Sequence, residues 1–291
     1  MNISTSPRFA GNFVAAVAVA ALAVIFATPI CAQTTPPTAP RGYLGFDSNE
    51  YPGDASLGEL RKTFAFAGYW LNAPPGADTD PWLEKRATLA ARAFGFLVLY
   101  NGRLEAELKR APSPRTLGEQ DGDRATASAA AEGFARGTII FLDQEEGGRL
   151  LDPQMDYVQA WIARVIKNGF RAGVYCSGIP VKDGKNKTIT TAAHIRKEAH
   201  GAPVAFFVYN DACPPSPGCA YRAPSPSASG TSFAVVWQFA QSPRRKEYTA
   251  RCAATYSKDG NCHPAAASTG ALAGALLDLD SATTPDPSHT R

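Results

Sequence analysis

Eight apolar, strand-like runs recur along the chain at Tyr43–Asp47, Ala65–Leu71, Gly95–Tyr100, Thr138–Asp143, Arg171–Cys176, Val204–Tyr209, Ala234–Phe239 and Ala275–Leu279. Most are near-continuous in apolar residues rather than alternating, which is how strands buried on both faces read. Helical patterns separate several of them. Pro81–Phe94 is rich in Ala, Leu and Arg, and Asp123–Ala135 is rich in Ala. Asp152–Asn168 places Met155, Val158, Trp161, Ile162 and Val165 at helical spacing and stops at Asn168-Gly169. Thr190–His200 stops at Gly201. Strands alternating with helices predict a parallel sheet, and eight of them predict a TIM-type (β/α)8 barrel of the α/β class. The alternation fades after residue 210, where Pro, Ser and Gly dominate, so the last third of the barrel is expected to be irregular.

The ends of the chain read differently from its middle. Arg8 lies in a short polar start, the run Phe13–Ala27 is apolar, and Pro29 precedes Cys31-Ala32-Gln33. This is the layout of a secretory signal peptide over 1–32, with an apolar run too short for a comfortable membrane span. A Pro/Thr-rich linker covers 33–41, the barrel 42–282, and a disordered tail 283–291. The expected location is secreted or periplasmic, without stable membrane insertion after cleavage. Export permits disulfides. Loss of Cys31's segment leaves five cysteines, and Cys213 with Cys219 and Cys252 with Cys262 are the simplest local pairs among those possible. Cys176 remains on an apolar strand as a buried thiol.

In a parallel barrel the site forms at the C-terminal ends of the strands. The most informative of these ends is Ile139-Ile140-Phe141-Leu142-Asp143-Gln144-Glu145-Glu146-Gly147-Gly148. Side chains alternate along a strand, so Asp143 and Glu145 share a face and Glu146 takes the other. Two carboxylates on one face suit acid/base chemistry; a strand running out into a polar turn is the plainer alternative. The other ends contribute Asp47, Tyr69, Tyr100, Tyr175, Tyr209, Trp237, Gln238 and Asp278. Such an acidic and aromatic rim fits a sugar-binding cleft, with Tyr69, Tyr100, Tyr175, Tyr209, Trp237 and Gln238 as the candidate substrate contacts.

Gly45-Phe46-Asp47, Asp143-Gln144-Glu145, Trp237-Gln238-Phe239 and Leu277-Asp278-Leu279-Asp280, in this order, resemble the family 25 glycoside hydrolases, lysozyme-type muramidases built on an irregular (β/α) barrel. The segment Gly118–Gly148 is similar to the related glycoside-hydrolase-like barrel domains of bacterial secreted proteins. The resemblance implies Glu145 as general acid with a pKa raised by its surroundings, Asp143 as its ionised partner, and Asp47 and Asp278 completing a catalytic cluster. Asp280 stands where that family often carries Asn. The implied function is muramidase-type hydrolysis of peptidoglycan or a related glycan; a non-catalytic glycan-binding barrel is the alternative.

Other classes find little support. A net charge of +3 is too small to argue for nucleic acid. Four histidines without a His-x-x-x-His or His-Glu-x-x-His pattern argue against a zinc site. No Gly-x-Gly-x-x-Gly, Walker or Gly-x-Ser-x-Gly motif occurs. No metal and no cofactor are expected, the expected partner is carbohydrate, and the default expectation is a monomer.

Overall fold

A computed structural model describes residues 42–210, 223–241 and 277–290. The elements follow the order β1 (Tyr43–Asp47), α1 (Leu57–Thr63), β2 (Phe66–Trp70), α2 (Arg86–Ala91), β3 (Gly95–Asn101), α3 (Glu105–Arg110), α4 (Pro114–Ala131), β4 (Ile139–Asp143), α5 (Asp152–Lys167) and β5 (Arg171–Ser177). Then come a short hairpin of β6 (Val181–Lys182) and β7 (Thr188–Ile189), α6 (Thr191–Glu198), β8 (Val204–Tyr209), a 3-10 turn (Pro226–Ser229), β9 (Val236–Ala240) and β10 (Asp278–Ala282). Eight of these strands close a barrel in the order β1-β10-β9-β8-β5-β4-β3-β2. The barrel expected from the eight apolar runs is therefore present.

Its closing strand departs from that expectation in two ways. The run Ala275–Leu279 predicts a strand about three residues too early, because β10 spans Asp278–Ala282. β10 also runs antiparallel to both neighbours, β1 and β9, whereas all other barrel pairs are parallel. An antiparallel strand carries its N-terminal end to the rim where the parallel strands end. Asp278 thus reaches that rim as the first residue of its strand, opposite Asp47 in register.

Helix cladding is densest over β2 to β5. Ser113 caps α4 by accepting from the Thr116 N–H, Pro114 occupies the first turn, and the helix runs 18 residues. It begins nine residues before the expected start at Asp123. Gly118 and Gly122 lower helix propensity in this first half, yet a Cβ at Gly118 would lie 2.3 Å from the Tyr157 carbonyl oxygen of α5. The glycines let the two helix backbones approach closely, and packing overrides propensity. Asp121, almost fully buried between these helices, accepts hydrogen bonds from Arg103 (2.8 and 3.2 Å), Arg124 (2.8 Å) and Tyr157 (3.0 Å).

Residues 283–290 are not the disordered tail their Pro, Ser and Asp content predicts. Asp286 Oδ1 accepts from the Phe96 N–H at 2.9 Å and Ser288 Oγ from the Val98 N–H at 2.8 Å. The Ile139 N–H donates to the Ser288 carbonyl, and the Ser288 N–H donates to the Phe96 carbonyl, both at 2.9 Å. The tail fills the place between the starting ends of β3 and β4 and satisfies backbone groups that would otherwise be left open. Cys176 is a buried free thiol whose pKa burial raises. The pairs Cys213–Cys219 and Cys252–Cys262, the signal segment and the linker through residue 41 lie outside the described residues. Among the described residues no helix is long and apolar enough to cross a membrane.

Candidate active site

Strand register decides which strand-end residues face the barrel interior, because paired residues in a sheet point the same way. Starting from Asp143, register partners lead to Asn101 on β3 and Tyr175 on β5, then to Phe207 on β8. On β8, Tyr209 lies two residues on and pairs with Gln238. Gln238 pairs with Asp280, and two residues from Asp280, Asp278 pairs with Asp47. Leu99, two residues before Asn101, pairs with Trp70. These residues form one continuous inner face. A groove of about 460 Å³, open to solvent, is lined by Asp47, Asp143, Glu145, Asp278, Tyr175 and Gln238, with Asn49, Trp70, Pro75, Leu99, Phe207 and Gln241. None of these comes from residues 103–136, nor from the described part of 210–232.

Four expected site residues occupy other places. Tyr69 and Tyr100 lie one residue off the inner set and point into the sheet–helix layer. The Tyr69 hydroxyl donates to Glu132 at 2.6 Å, and its ring packs edge-on against Phe96 and Phe134. Tyr100 packs on Trp161 of α5 at 6.5 Å between centroids. Trp237 is also outward: its ring stacks edge-on with Phe239 and its Nε1–H donates to the Asn210 carbonyl. These three are core residues rather than substrate contacts. Tyr209 is on the inner face, but its hydroxyl donates to the Glu145 carbonyl at 3.2 Å, so it braces the acidic turn.

The turn after β4 is held from both sides. Glu146 points away from the groove, as alternation predicts, and accepts from the Glu105 N–H at 2.6 Å, Gln144 Nε2 at 2.7 Å and Gln154 Nε2 at 3.3 Å. It ties the acidic turn to the first turns of α3 and α5. Arg149 makes a two-point contact with Asp183 (2.8 and 2.5 Å), fastening the same turn to the β6–β7 hairpin. Glu145 is thereby left exposed at the mouth of the groove, while Asp143 sits buried beneath it.

Burial within the pair falls on Asp143. Burial, together with the charges of Glu145 and Asp47 and a hydrogen bond with Glu145, pushes the Asp143 pKa well above the ordinary carboxylate range. Of the two, Asp143 is thus the carboxyl whose environment disfavours the ionised form. Burial raises Asp47 as well, opposed by hydrogen bonds from Gln238 and Asp280. On the far wall Tyr175 donates to Gln238 Oε1 at 2.6 Å, and Gln241 Nε2 donates to the Tyr175 hydroxyl at 3.0 Å and to Gln238 Oε1 at 2.8 Å. With its oxygen so occupied, the Gln238 amide turns its N–H groups to Asp47 Oδ2 at 2.8 Å and Asp278 Oδ2 at 3.2 Å. Gly68 makes room for this cluster, since a Cβ there would lie 2.5 Å from the Asp47 Cβ. Asn49, Pro75, Leu99, Phe207 and Gln241 also line the groove, as does Trp70, a strand-end residue next to the expected Tyr69; parity with Asp143 selects Trp70 over Tyr69, whereas Gln241 follows its strand and carries no such signal. Among the described residues no group of three or more His, Cys, Asp or Glu side chains is arranged to hold a metal ion.

Comparison with known proteins fits this architecture. The barrel aligns with an uncharacterized protein from B. stearothermophilus at a TM-score of 0.52 and 16% identity, covering 83% of this chain and 96% of that one. The Mycobacterium tuberculosis Tat-secreted protein Rv2525c, in complex with L-tartrate, aligns at 0.49 and 13% identity over 84% and 96% of the two chains. The bacterial lysozyme from Streptomyces coelicolor aligns at 0.43 and 12% identity over 84% and 93%. No curated protein matches the sequence. The sequence match runs from the loop before α2 to just past β8, so it takes in Asp143, Glu145, Tyr175 and Tyr209 but neither Asp47 nor β9 and β10. Residues 79–212 match the model of the Rv2525c-like, glycoside hydrolase-like domain family.

Proposed function

We propose that this barrel hydrolyses glycosidic bonds in a cell-wall polysaccharide of the peptidoglycan type, outside the cytoplasm, with Glu145 and Asp143 as its acid pair. One observation carries the reading. The two carboxyls share a hydrogen bond at the mouth of an open groove whose other acids, Asp47 and Asp278, face the same space. A lone surface carboxylate supplies no proton at neutral pH; a pair that shares one does.

The chemistry follows from that proton. Glu145, the exposed member, donates to the glycosidic oxygen as Asp143 passes its own proton outward. The bond between the anomeric carbon and that oxygen breaks with both electrons going to the leaving group. Positive charge developing on the sugar then meets the newly ionised Asp143 and the anionic Asp47. Water adds to the anomeric carbon and returns its proton to the pair. Trp70, Leu99 and Phe207 offer apolar surface for a pyranose ring, and Asn49, Gln238 and Gln241 offer amides for its hydroxyls.

Release of new reducing ends from purified peptidoglycan tests the reading. Wild type is expected to release them and Glu145→Gln to be slower by about 10²–10⁴-fold, the usual contribution of a positioned proton donor. Equal rates in the two proteins would remove Glu145 from this role. Retention on insoluble peptidoglycan without any cleavage by wild type would replace hydrolysis with glycan binding.

A further inference from the structure

Asp280 lies on the inner face of β10 with no exposed surface, and no hydrogen bond of ordinary geometry reaches either of its carboxyl oxygens. Its register partners are Gly45, which has no side chain, and Gln238. The charged groups acting on it are Asp47 and Asp278, both carboxylates. The Gln238 amide has two N–H bonds; one goes to Asp47 and the other to Asp278, so none remains for Asp280. Yet Asp280 pairs with Gly45, two residues before Asp47 on the same face of β1, so the two carboxyls are diagonal neighbours and each acts on the other. Two carboxylates have no hydrogen to place between them. The contact is favourable only when one of the pair is a carboxylic acid. Asp47 already accepts from Gln238, which favours its ionised form, so the proton belongs to Asp280.

We propose that Asp280 is a positioning residue that stays protonated at neutral pH, donates to Asp47, and holds Asp47 as the fixed anion at the floor of the groove. The charge pattern then alternates from floor to mouth: neutral Asp280, anionic Asp47, protonated Asp143, exposed Glu145. Asp47's charge is one of the causes that keep the proton on Asp143. A donor hidden on the last strand thus reaches the proposed acid pair through Asp47. Burial and the neighbouring carboxylates raise the Asp280 pKa well above its ordinary value, in accord with this assignment. The positioning role rests on the hydrolytic reading; the protonation state does not.

The sign of the linkage gives a test that needs no activity. A carboxyl whose pKa is raised in the folded chain holds a proton that the unfolded chain has released above about pH 4. Its contribution to stability is therefore full at low pH and falls as pH rises toward the folded pKa. Asp280→Asn supplies a permanent neutral donor of the same shape and removes this loss. Calorimetric Tm values of the whole chain from pH 4 to pH 8 are expected to coincide near pH 4 and to separate as pH rises, with Asp280→Asn about 3 °C or more above wild type at pH 7. A difference that does not change with pH overturns the assignment.

The positioning role is read on peptidoglycan turnover. Asp280→Asn is expected to stay within about threefold of wild type, whereas Asp280→Leu, which leaves Asp47 without that donor, falls about tenfold or more and moves the acid limb of the pH–rate profile upward. If Asp280→Asn is as slow as Asp280→Leu, an ionised carboxylate is required there and the proposal fails. If wild type has no activity, the hydrolytic reading falls while the Tm comparison still decides the protonation state.

Discussion

The inner and outer faces of the same strands use the same residue types for different ends. Tyr175 lines the groove and locks Gln238 in place. Tyr100, at an equivalent height on β3, packs against a helix. Among the described residues no cation stands beside Asp143 on the inner face of β4, and its pKa is raised. Asp121, equally buried in the outer layer, is surrounded by Arg103, Arg124 and Tyr157. In the outer layer Asp121 is matched by two guanidinium groups and a hydroxyl, a pairing that favours its ionised form. Among the described residues the inner layer sets acids close together without a cation, which costs stability and favours groups able to hold and move protons. Position at a strand end does not separate these cases; parity with Asp143 does.

The largest effect expected on the inner face is that of Asp143→Asn. It removes the buried half of the acid pair, and turnover on peptidoglycan should fall at least 100-fold. It should also remove a proton that only the folded state holds. Its Tm should then exceed that of wild type at pH 7 and lose that advantage toward pH 4. A variant that is both slow and destabilised at pH 7 would mean Asp143 is a structural acid like Asp121.

Truncation on the outer face should act on stability alone. Tyr69→Ala deletes a fully buried ring and is expected to cost roughly 3–5 kcal/mol in chemical denaturation, with kcat/KM of the folded protein within about twofold of wild type. Asp121→Asn is next, at roughly 2–3 kcal/mol, because Arg103, Arg124 and Tyr157 lose a charged acceptor in a buried site. A selective loss of turnover in either variant would couple the layers and break the distinction. Tyr175→Phe is the smallest change, removing one hydroxyl from the Gln238–Gln241 network. About a tenfold drop in turnover is expected from one lost positioning hydrogen bond, with Tm moving by no more than a few degrees. An unchanged rate would show that Gln238 holds its orientation without Tyr175.

Much of the barrel was legible because its strands obey the hydrophobic pattern: β1 and β8 begin and end where their apolar runs do. β10 was misplaced because it violates the pattern. Its sequence, Asp-Leu-Asp-Ser-Ala, carries two acids and a serine into a closed barrel, while the apolar residues just before it read as the better strand. Pairing with β1 fixes it instead. The acidic pair was legible from alternation alone, as was the departure of Glu146. Which of the two is buried was not, since burial depends on the turn being tied down through Glu146, Arg149 and Tyr209. Likewise Tyr69, Tyr100 and Trp237 passed as groove residues because a single sequence does not reveal which parity faces inward on each strand.

The most direct test of the inner-face site is the structure of Glu145→Gln with a peptidoglycan-derived oligosaccharide bound. A sugar ring lying against Trp70 and Leu99, with a glycosidic oxygen within about 3 Å of the residue 145 side chain, is the predicted result. A glycan bound outside the barrel mouth, with the acid pair untouched, would contradict it.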